Sequence, residues 1–333
     1  MLLWLLLTWT LTSRHAEAST TEEDFLQDET GFLHRRLHPP FSCPDMSPSP
    51  TPPTSVELVK PADVKVIAAL GDSLTTAIGA NGSTLLSIPF EFRHVSWSIG
   101  GYGTYRNVIT LANIFKLFNP HLLGPSPRMT LHGSPITVND TGFNFAVTGH
   151  NTLNVSDQVR HMIATLRSYP GLNFHEDWKV VTLLIGMNDI CDYCKDKTLF
   201  SPDRFIHHMT DALDLMMNEI PRTIVNVVQI LRMKPLREVQ KPTLGCQLQR
   251  RFCSCLVQPQ ENSTELEELM EVNHEFQFQP EGGKEMIHTF SDPEELICPP
   301  EEHPYIYTRA RDTSSGGALE PLRLLMLLAL TRL

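Results

Sequence analysis

Short apolar runs alternate with amphipathic segments through the middle of the chain. Consecutive apolar residues that end at a glycine are typical of buried strands, and apolar residues recurring every three or four positions are typical of helices. The pattern predicts strands at Val64–Leu70, Lys179–Ile185 and Thr223–Leu231, a candidate strand at Phe143–Val147, and helices at Thr110–Phe118, Val155–Tyr169, Asp203–Glu219 and Thr264–Phe276.

This alternation predicts the fold class. Strands separated by helices of this length form a parallel sheet that helices cover on both faces. Right-handed crossovers place the carboxyl ends of all the strands at one edge, where α/β proteins keep their sites. We therefore predict an α/β domain whose site lies near Gly71 and Gly186, the glycines that end two of the strands.

The regions outside this pattern predict the domain organisation. An apolar run at residues 2–11, followed by Ala16-Glu17-Ala18, predicts a signal peptide over residues 1–18. Residues 19–59, rich in Pro and Ser toward their end, are predicted to be an extended linker that stays out of the core. The domain is predicted to cover residues 60–277, with packed structure from near Pro61, and residues 278–333 to form an irregular tail.

The apolar end of that tail has two interpretations. Residues 314–317 are small and polar, and residues 322–333 are apolar, which loosely matches a lipid-anchor signal. Arg323 and Arg332 interrupt the apolar run. A disordered tail is the favoured interpretation, and an anchor is the alternative.

The net charge limits the classes of partner, and the cysteine content bears on disulfide bonding. The net charge of −11 argues against a nucleic-acid partner, because such binding depends on neutralising phosphates. Behind a signal peptide, the seven cysteines predict disulfides in preference to a zinc site, with at least one thiol left over. Four N-x-S/T triplets predict glycosylation, at Asn81, Asn139, Asn154 and Asn262.

Three short motifs fall at or between the predicted strand ends. Asp72-Ser73 follows the first strand, Gly100-Gly101 lies between the strands, and Asn188-Asp189 follows the strand at Lys179–Ile185. A serine there can act as a nucleophile, and a backbone N–H and an Asn amide can stabilise an oxyanion. Asp and Ser are also ordinary helix caps, so the Asp72-Ser73 motif alone favours a cap over a catalytic role.

Together, Gly71-Asp72-Ser73-Leu74, Gly100-Gly101 and Gly186-Met187-Asn188-Asp189 resemble the GDSL (SGNH) esterase and lipase family. The resemblance covers about residues 55–276 and the flank at 298–307, and it is closest to the phospholipase B branch. It implies a three-layer, flavodoxin-like α/β fold that needs no metal or cofactor. It also implies hydrolysis of acyl esters of phospholipids and lysophospholipids at a membrane or micelle surface. No nucleic-acid partner is implied, and the expected location is extracellular or at the cell surface, on the apical membrane by resemblance.

The resemblance also assigns roles to residues. Ser73 is implied as the nucleophile and Asp189 as the triad aspartate. The oxyanion hole is implied to contain the backbone N–H of Ser73, that of Gly101 (or Gly100), and the Asn188 side chain.

The chain departs from the family at the catalytic histidine. No D-x-x-H block follows Asp189, and the segment between Phe276 and Cys298, where the last strand and this block are expected, is rich in Glu and Pro. His274, His288 and His303 lie nearby but outside such a motif. We therefore expect an incomplete C-terminal part and keep, as the alternative function, a catalytically impaired homologue that binds lipid or protein.

Overall fold

The computed structural model of the chain describes residues 40–82, 84–238, 252–276 and 298–306. Predictions for the signal peptide, for the tail apart from residues 298–306, and for Cys246, His288 and the expected last strand lie outside these residues. The strands are β1 Val64–Gly71, β2 Phe90–Glu91, β3 Thr130–Leu131, β4 Trp178–Leu184 and β5 Thr223–Val227. The α-helices are α1 Ser73–Thr76, α2 Leu111–Phe118, α3 Val138–Thr141, α4 Val155–Ser168, α5 Met187–Asp192, α6 Pro202–Glu219, α7 Met233–Glu238, α8 Ser254–Val257 and α9 Thr264–Glu275.

A three-stranded parallel sheet in the order β1-β4-β5 is the centre of the fold. β1 and β4 pair in a register that sets Gly71 opposite Leu184, so the two strands end side by side. Both strands are almost fully buried, as their continuous apolar runs predict. The predicted α/β fold with a parallel sheet is therefore confirmed.

The longer helices lie where the sequence predicts them, because each has a clear start and stop. Pro202 occupies the first turn of α6, and the Ser201 side chain accepts a hydrogen bond from the backbone N–H of Arg204. Ser263 caps α9 by accepting from the N–H of Leu266 at 3.3 Å. The apolar sides of α4, α6 and α9 contribute Met162, Met209 and Leu269 to one continuous core.

The candidate strand Phe143–Val147 is confirmed in part. The segment runs parallel to β1 and bonds to it through the Phe143 carbonyl and the N–H groups of Phe145 and Val147, with one parallel bridge, between Ala69 and Asn144. On its other side, the buried guanidinium of Arg93 donates to the carbonyl oxygens of Asn144 and Ala146 at 3.1 Å each. Those carbonyls are therefore occupied by a side chain rather than by a further strand.

The predicted linker is also corrected in part. Residues 40–59 do not stay out of the core: Cys43 and Val59 are buried, and Phe41 packs on Tyr105. The carbonyl oxygen of Pro53 accepts a hydrogen bond of 2.8 Å from the indole of Trp178. A Pro- and Ser-rich segment without periodicity has the same sequence pattern whether it is free or lies along a folded surface.

Three disulfides close the described part of the chain: Cys43–Cys298, Cys191–Cys253 and Cys194–Cys255. The preference for disulfides over a zinc site is confirmed for these six residues. The second and third bridges join α5 and the turn after it to the short segment around α8. The two bridges attach the segment around α8 to the C-terminal end of α5, the helix whose first turn carries Asn188.

Candidate active site

Ser73 occupies the first position of α1, directly after the carboxyl end of β1. Asp72 caps this one-turn helix, and its Oδ1 accepts from the N–H of Leu74 at 2.9 Å. The turn needs glycine at position 71, because φ is +151° there and a Cβ would come within 2.4 Å of the Leu184 carbonyl oxygen. Ser73 is half-buried, and among the described residues its N–H and hydroxyl have no hydrogen-bond partner.

Asn188 and Asp189 lie in the first turn of α5, directly after the neighbouring strand β4. The Asn188 side chain donates to the carbonyl oxygen of His150 at 2.6 Å. Its amide has two hydrogens, and only one is used by a described group. Since Gly71 and Leu184 pair across the sheet, the residues after these two strands lie at the same edge.

The carboxyl group of Asp189 is not presented to a histidine. It is buried, and its oxygens accept from the backbone N–H and the hydroxyl of Thr152. Burial raises the pKa of Asp189 to about 6, against the opposing effect of the Thr152 hydrogen bonds. Among the described residues no histidine donates to Asp189, so the proposed pairing of a triad aspartate with a histidine is not seen there.

Asp72 is a second buried carboxyl group beside Ser73. Desolvation, with a smaller effect from the negative charge of Asp189, raises the pKa of Asp72 to about 7, against the opposing effect of the Leu74 hydrogen bond. The Oδ2 of Asp72 is buried and has no hydrogen-bond partner among the described residues. The edge of the sheet therefore holds two carboxyl groups that titrate near neutral pH.

The predicted backbone donors at Gly100 and Gly101 are already in use. The N–H of Gly101 donates to the Ser126 carbonyl at 2.9 Å, and that of Gly100 donates to the Ser96 carbonyl at 2.8 Å. Both glycines are required by close packing, since a Cβ at Gly100 would meet His94 and Ser96 backbone atoms within 2.8 Å. In this structure both N–H groups are therefore engaged by backbone carbonyls, and the role of Gly101 or Gly100 in an oxyanion hole stays a prediction.

Of the three histidines considered from the sequence, the two that the structure describes do not lie at this site. His274 is exposed on α9, His303 lies against Tyr305, and His288 is outside the described residues. The structure instead brings His150 to the edge of the sheet, through its carbonyl bond with Asn188 and a ring bond with Gln158. Its position, three residues beyond the candidate strand Phe143–Val147, is the signal that could have identified it.

The predicted glycosylation sites differ in exposure. Asn139 and Asn262 are exposed, whereas Asn81 and Asn154 are half-buried. Asn154 also takes part in the turn before α4, where its side chain accepts from the N–H of Asn151 at 3.3 Å. All four remain predictions.

One group of side chains in the described part of the chain has the geometry of a metal chelate. His207, His208 and Asp211 on α6 present ligand atoms within 4.8 Å of one another, and two of the three are exposed. An exposed group of this kind is common without an ion. No residue of the Ser73 edge belongs to it.

The fold and this edge define the chain as an α/β protein with a serine at a strand end, the arrangement of serine-type hydrolases. Residues 67–282 match the GDSL-like Lipase/Acylhydrolase family, and the chain belongs to that family. No solved structure matches the chain.

Three curated relatives are similar to the chain, and all are named membrane-associated phospholipase B1. The human protein is 42% identical over 258 residues, which is 76% of this chain and 17% of that protein. The mouse protein is 37% identical over 268 residues, or 76% of this chain and 18% of that protein. The rat protein is 40% identical over 249 residues, which is 73% of this chain and 17% of that protein. The chain thus spans less than a fifth of the length of these relatives.

Within the described ranges, none of the helices combines the length and the apolar character that a membrane crossing requires.

Proposed function

We propose that this chain hydrolyses acyl esters of phospholipids and lysophospholipids, with Ser73 as the nucleophile. One observation carries the proposal: Ser73 begins α1 after the end of β1, and Asn188 lies in the first turn of α5, which follows the adjacent strand β4. The curated relatives, named phospholipases, support the choice of a lipid ester as substrate.

The proposed reaction begins with attack of the Ser73 hydroxyl oxygen on the ester carbonyl carbon. The carbonyl oxygen then carries the negative charge of a tetrahedral intermediate. Two donors serve it: the N–H of Ser73, and the Asn188 amide hydrogen that is not engaged by His150. Collapse of the intermediate breaks the bond to the alcohol part of the lipid, which leaves with the proton that the Ser73 hydroxyl gives up, and an acyl-serine remains. Water then hydrolyses the acyl-serine, which releases the fatty acid and restores the Ser73 hydroxyl. Each donor of this kind contributes about 10²–10³-fold in rate.

A catalytically impaired homologue that binds lipid is the second candidate. It is favoured by the Asp189 oxygens, which Thr152 engages, and by the lack of a D-x-x-H block after Asp189 in the sequence. A serine hydroxyl without a base beside it is a weak nucleophile. The two candidates share one lipid-binding edge and differ only in turnover.

The proposed location is the secretory route, ending outside the cell or at its surface. Three disulfides among six of the seven cysteines support an oxidising compartment. The relatives' description as membrane-associated supports a surface where phospholipid is available.

The test is hydrolysis of lysophosphatidylcholine by the purified chain and by Ser73→Ala, with circular dichroism to verify folding. Ser168→Ala, at an exposed serine on α4, is the matched control. Turnover that disappears only in Ser73→Ala supports the esterase. Equal rates in the folded wild-type chain and Ser73→Ala reject it and favour the binding homologue.

A further inference from the structure

The loop at residues 148–152 connects the two halves of the candidate active site. The Thr148 hydroxyl shares a hydrogen bond of 2.7 Å with that of Thr76 in α1. The His150 carbonyl accepts from Asn188, and Thr152 donates to Asp189 in α5. The loop therefore lies between the helix that begins at Ser73 and the turn that carries Asn188.

A buried glutamine holds the other side of this loop. Gln158 of α4 accepts the N–H of Gly71 with Oε1 at 2.9 Å and donates to the Gly71 carbonyl with Nε2 at 2.8 Å. Since a backbone N–H only donates and a carbonyl only accepts, these two bonds fix which end of the amide is nitrogen. The orientation of the Gln158 side chain thus has a single solution.

This orientation determines the protonation of His150. The second hydrogen of Gln158 Nε2 faces Nδ1 of His150 at 3.1 Å. Nδ1 must accept this bond, so a neutral His150 carries its proton on Nε2. The ring is half-buried, and desolvation lowers its pKa, although the charge of Asp157 acts in the opposite direction. Burial therefore favours the neutral ring that the geometry requires.

We propose that His150 serves the Ser73 site as a neutral hydrogen-bond donor, its Nε2–H binding an oxygen of the ester substrate, and that Gln158 is the residue that positions it. This inference rests on the proposed function. The same geometry argues against His150 as the general base, because its Nε2 has no lone pair in this tautomer. The Gly101 N–H is engaged by Ser126, so a side-chain donor from this loop supplies the hydrogen bond that this amide does not.

Two oxygens of the substrate have the chemistry to accept this bond. One is the ester carbonyl oxygen, which becomes an oxyanion during attack, and the other is a headgroup phosphate oxygen. A soluble acyl ester without phosphate separates them. Loss of rate on both substrates assigns the bond to the ester oxygen, and loss on lysophosphatidylcholine alone assigns it to the phosphate.

The first experiment reads the tautomer without any need for turnover. Long-range ¹H–¹⁵N correlation spectra of the folded chain at neutral pH distinguish the two ring nitrogens of His150. We expect a neutral ring with the proton on Nε2, and loss of this strict preference in Gln158→Leu. A proton on Nδ1, or a cationic ring at neutral pH, overturns the inference.

The second experiment tests the donor role. His150→Phe removes the donor and is expected to lower kcat/KM by about 10²-fold, while His150→Gln, which retains an N–H near the Nε2 position, recovers most of it. His175→Phe, at an exposed histidine, is the control and keeps the wild-type rate. Wild-type rates in His150→Phe on both substrates overturn the inference.

Failure of the proposed function is separable from failure of this inference. If the wild-type chain shows no Ser73-dependent turnover, the esterase is rejected. A non-hydrolysable 1-O-alkyl lysophosphatidylcholine is then titrated into the labelled chain. A shift of the His150 Nε2–H resonance supports the donor role, and an unchanged resonance at saturating lipid rejects it.

Discussion

The buried carboxyl groups of Asp72 and Asp189 lie at the ends of neighbouring strands, and the charge of Asp189 raises the pKa of Asp72. Neither has a cationic partner among the described residues. The edge of the sheet that carries Ser73 therefore holds two acidic groups whose ionisation is unfavourable in the folded state.

We expect Asp72→Asn to change how stability depends on pH. Because the pKa of Asp72 is raised to about 7, its contribution is full below about pH 4 and is lost as pH rises toward 7. Asn keeps an oxygen for the Leu74 N–H and removes the buried charge. The variant should exceed wild type in free energy of unfolding at pH 7 by roughly 2 kcal/mol.

Urea unfolding at pH 4, 5.5 and 7 measures this effect. Asp214→Asn, at an exposed aspartate on α6, is the control and should follow the wild-type pH profile. An identical pH slope in wild type and Asp72→Asn would contradict the prediction. A residual slope between about pH 4 and 6 is expected from Asp189.

Gln158 should be essential for the turn before Ser73. Gln158→Leu leaves the buried N–H of Gly71 without its partner and removes one of the two bonds to the Gly71 carbonyl, which still accepts from the Val147 N–H; the expected cost is about 1–3 kcal/mol. Thermal and urea unfolding measure the loss. Val159→Leu, the next residue in α4, is a packing control, and a Gln158→Leu chain as stable as wild type would refute the role of the two bonds.

Removing one partner of the buried ion pair Glu91–Arg93 should cost far more stability than replacing both partners with neutral residues. Glu91 also accepts from Thr148, and Arg93 supports residues 144–146, so the pair holds the loop that leads to His150. Arg93→Met alone leaves a buried carboxylate and should cost about 3–5 kcal/mol. Adding Glu91→Gln should recover part of that loss.

A double-mutant cycle by chemical unfolding gives the coupling energy of this pair. Arg160→Met, which breaks the exposed pair with Asp157, is the control and should change stability by less than about 1 kcal/mol. Additive losses for Glu91 and Arg93 would show that the pair is not coupled.

Loss of the Cys194–Cys255 bridge should destabilise the domain by about 2–4 kcal/mol. The bridge constrains the chain between two segments that are 61 residues apart in sequence. Cys194→Ser/Cys255→Ser is compared with wild type in oxidising buffer and again after reduction. The difference should vanish under reduction, and peptide mapping of wild type should recover Cys194 linked to Cys255 rather than to Cys253.

Local sequence signals predicted the fold well. β1, β4 and the four longest helices each have a continuous periodicity and a cap or glycine at their ends, and they occur within one or two residues of the prediction. Segments whose conformation depends on a distant partner were predicted less well. Phe143–Val147 accepts hydrogen bonds from the Arg93 side chain, and residues 40–59 are held by hydrogen bonds with Trp178 and Asp63.

The candidate site shows the same division. Ser73, Asn188 and Asp189 follow strands, so the sequence places them at one edge. Whether a hydrogen-bonding group there is free depends on its pairing with residues distant in sequence. The donor Gly101 N–H is engaged by Ser126, and the acceptor oxygens of Asp189 are engaged by Thr152. His150 was missed because the search for a histidine was limited to the chain after Asp189.

The bridge between Cys43 and Cys298 has a mechanical consequence. It joins two residues that are 255 positions apart, with Cα atoms 5.4 Å from each other, and the whole sheet lies in the chain between them. A pull applied to residues 40 and 306 is therefore borne by a covalent bond, and the hydrogen bonds of β1, β4 and β5 carry no load. Under tension the disulfide therefore protects the domain from extension, and the edge of the sheet that carries Ser73 keeps its structure.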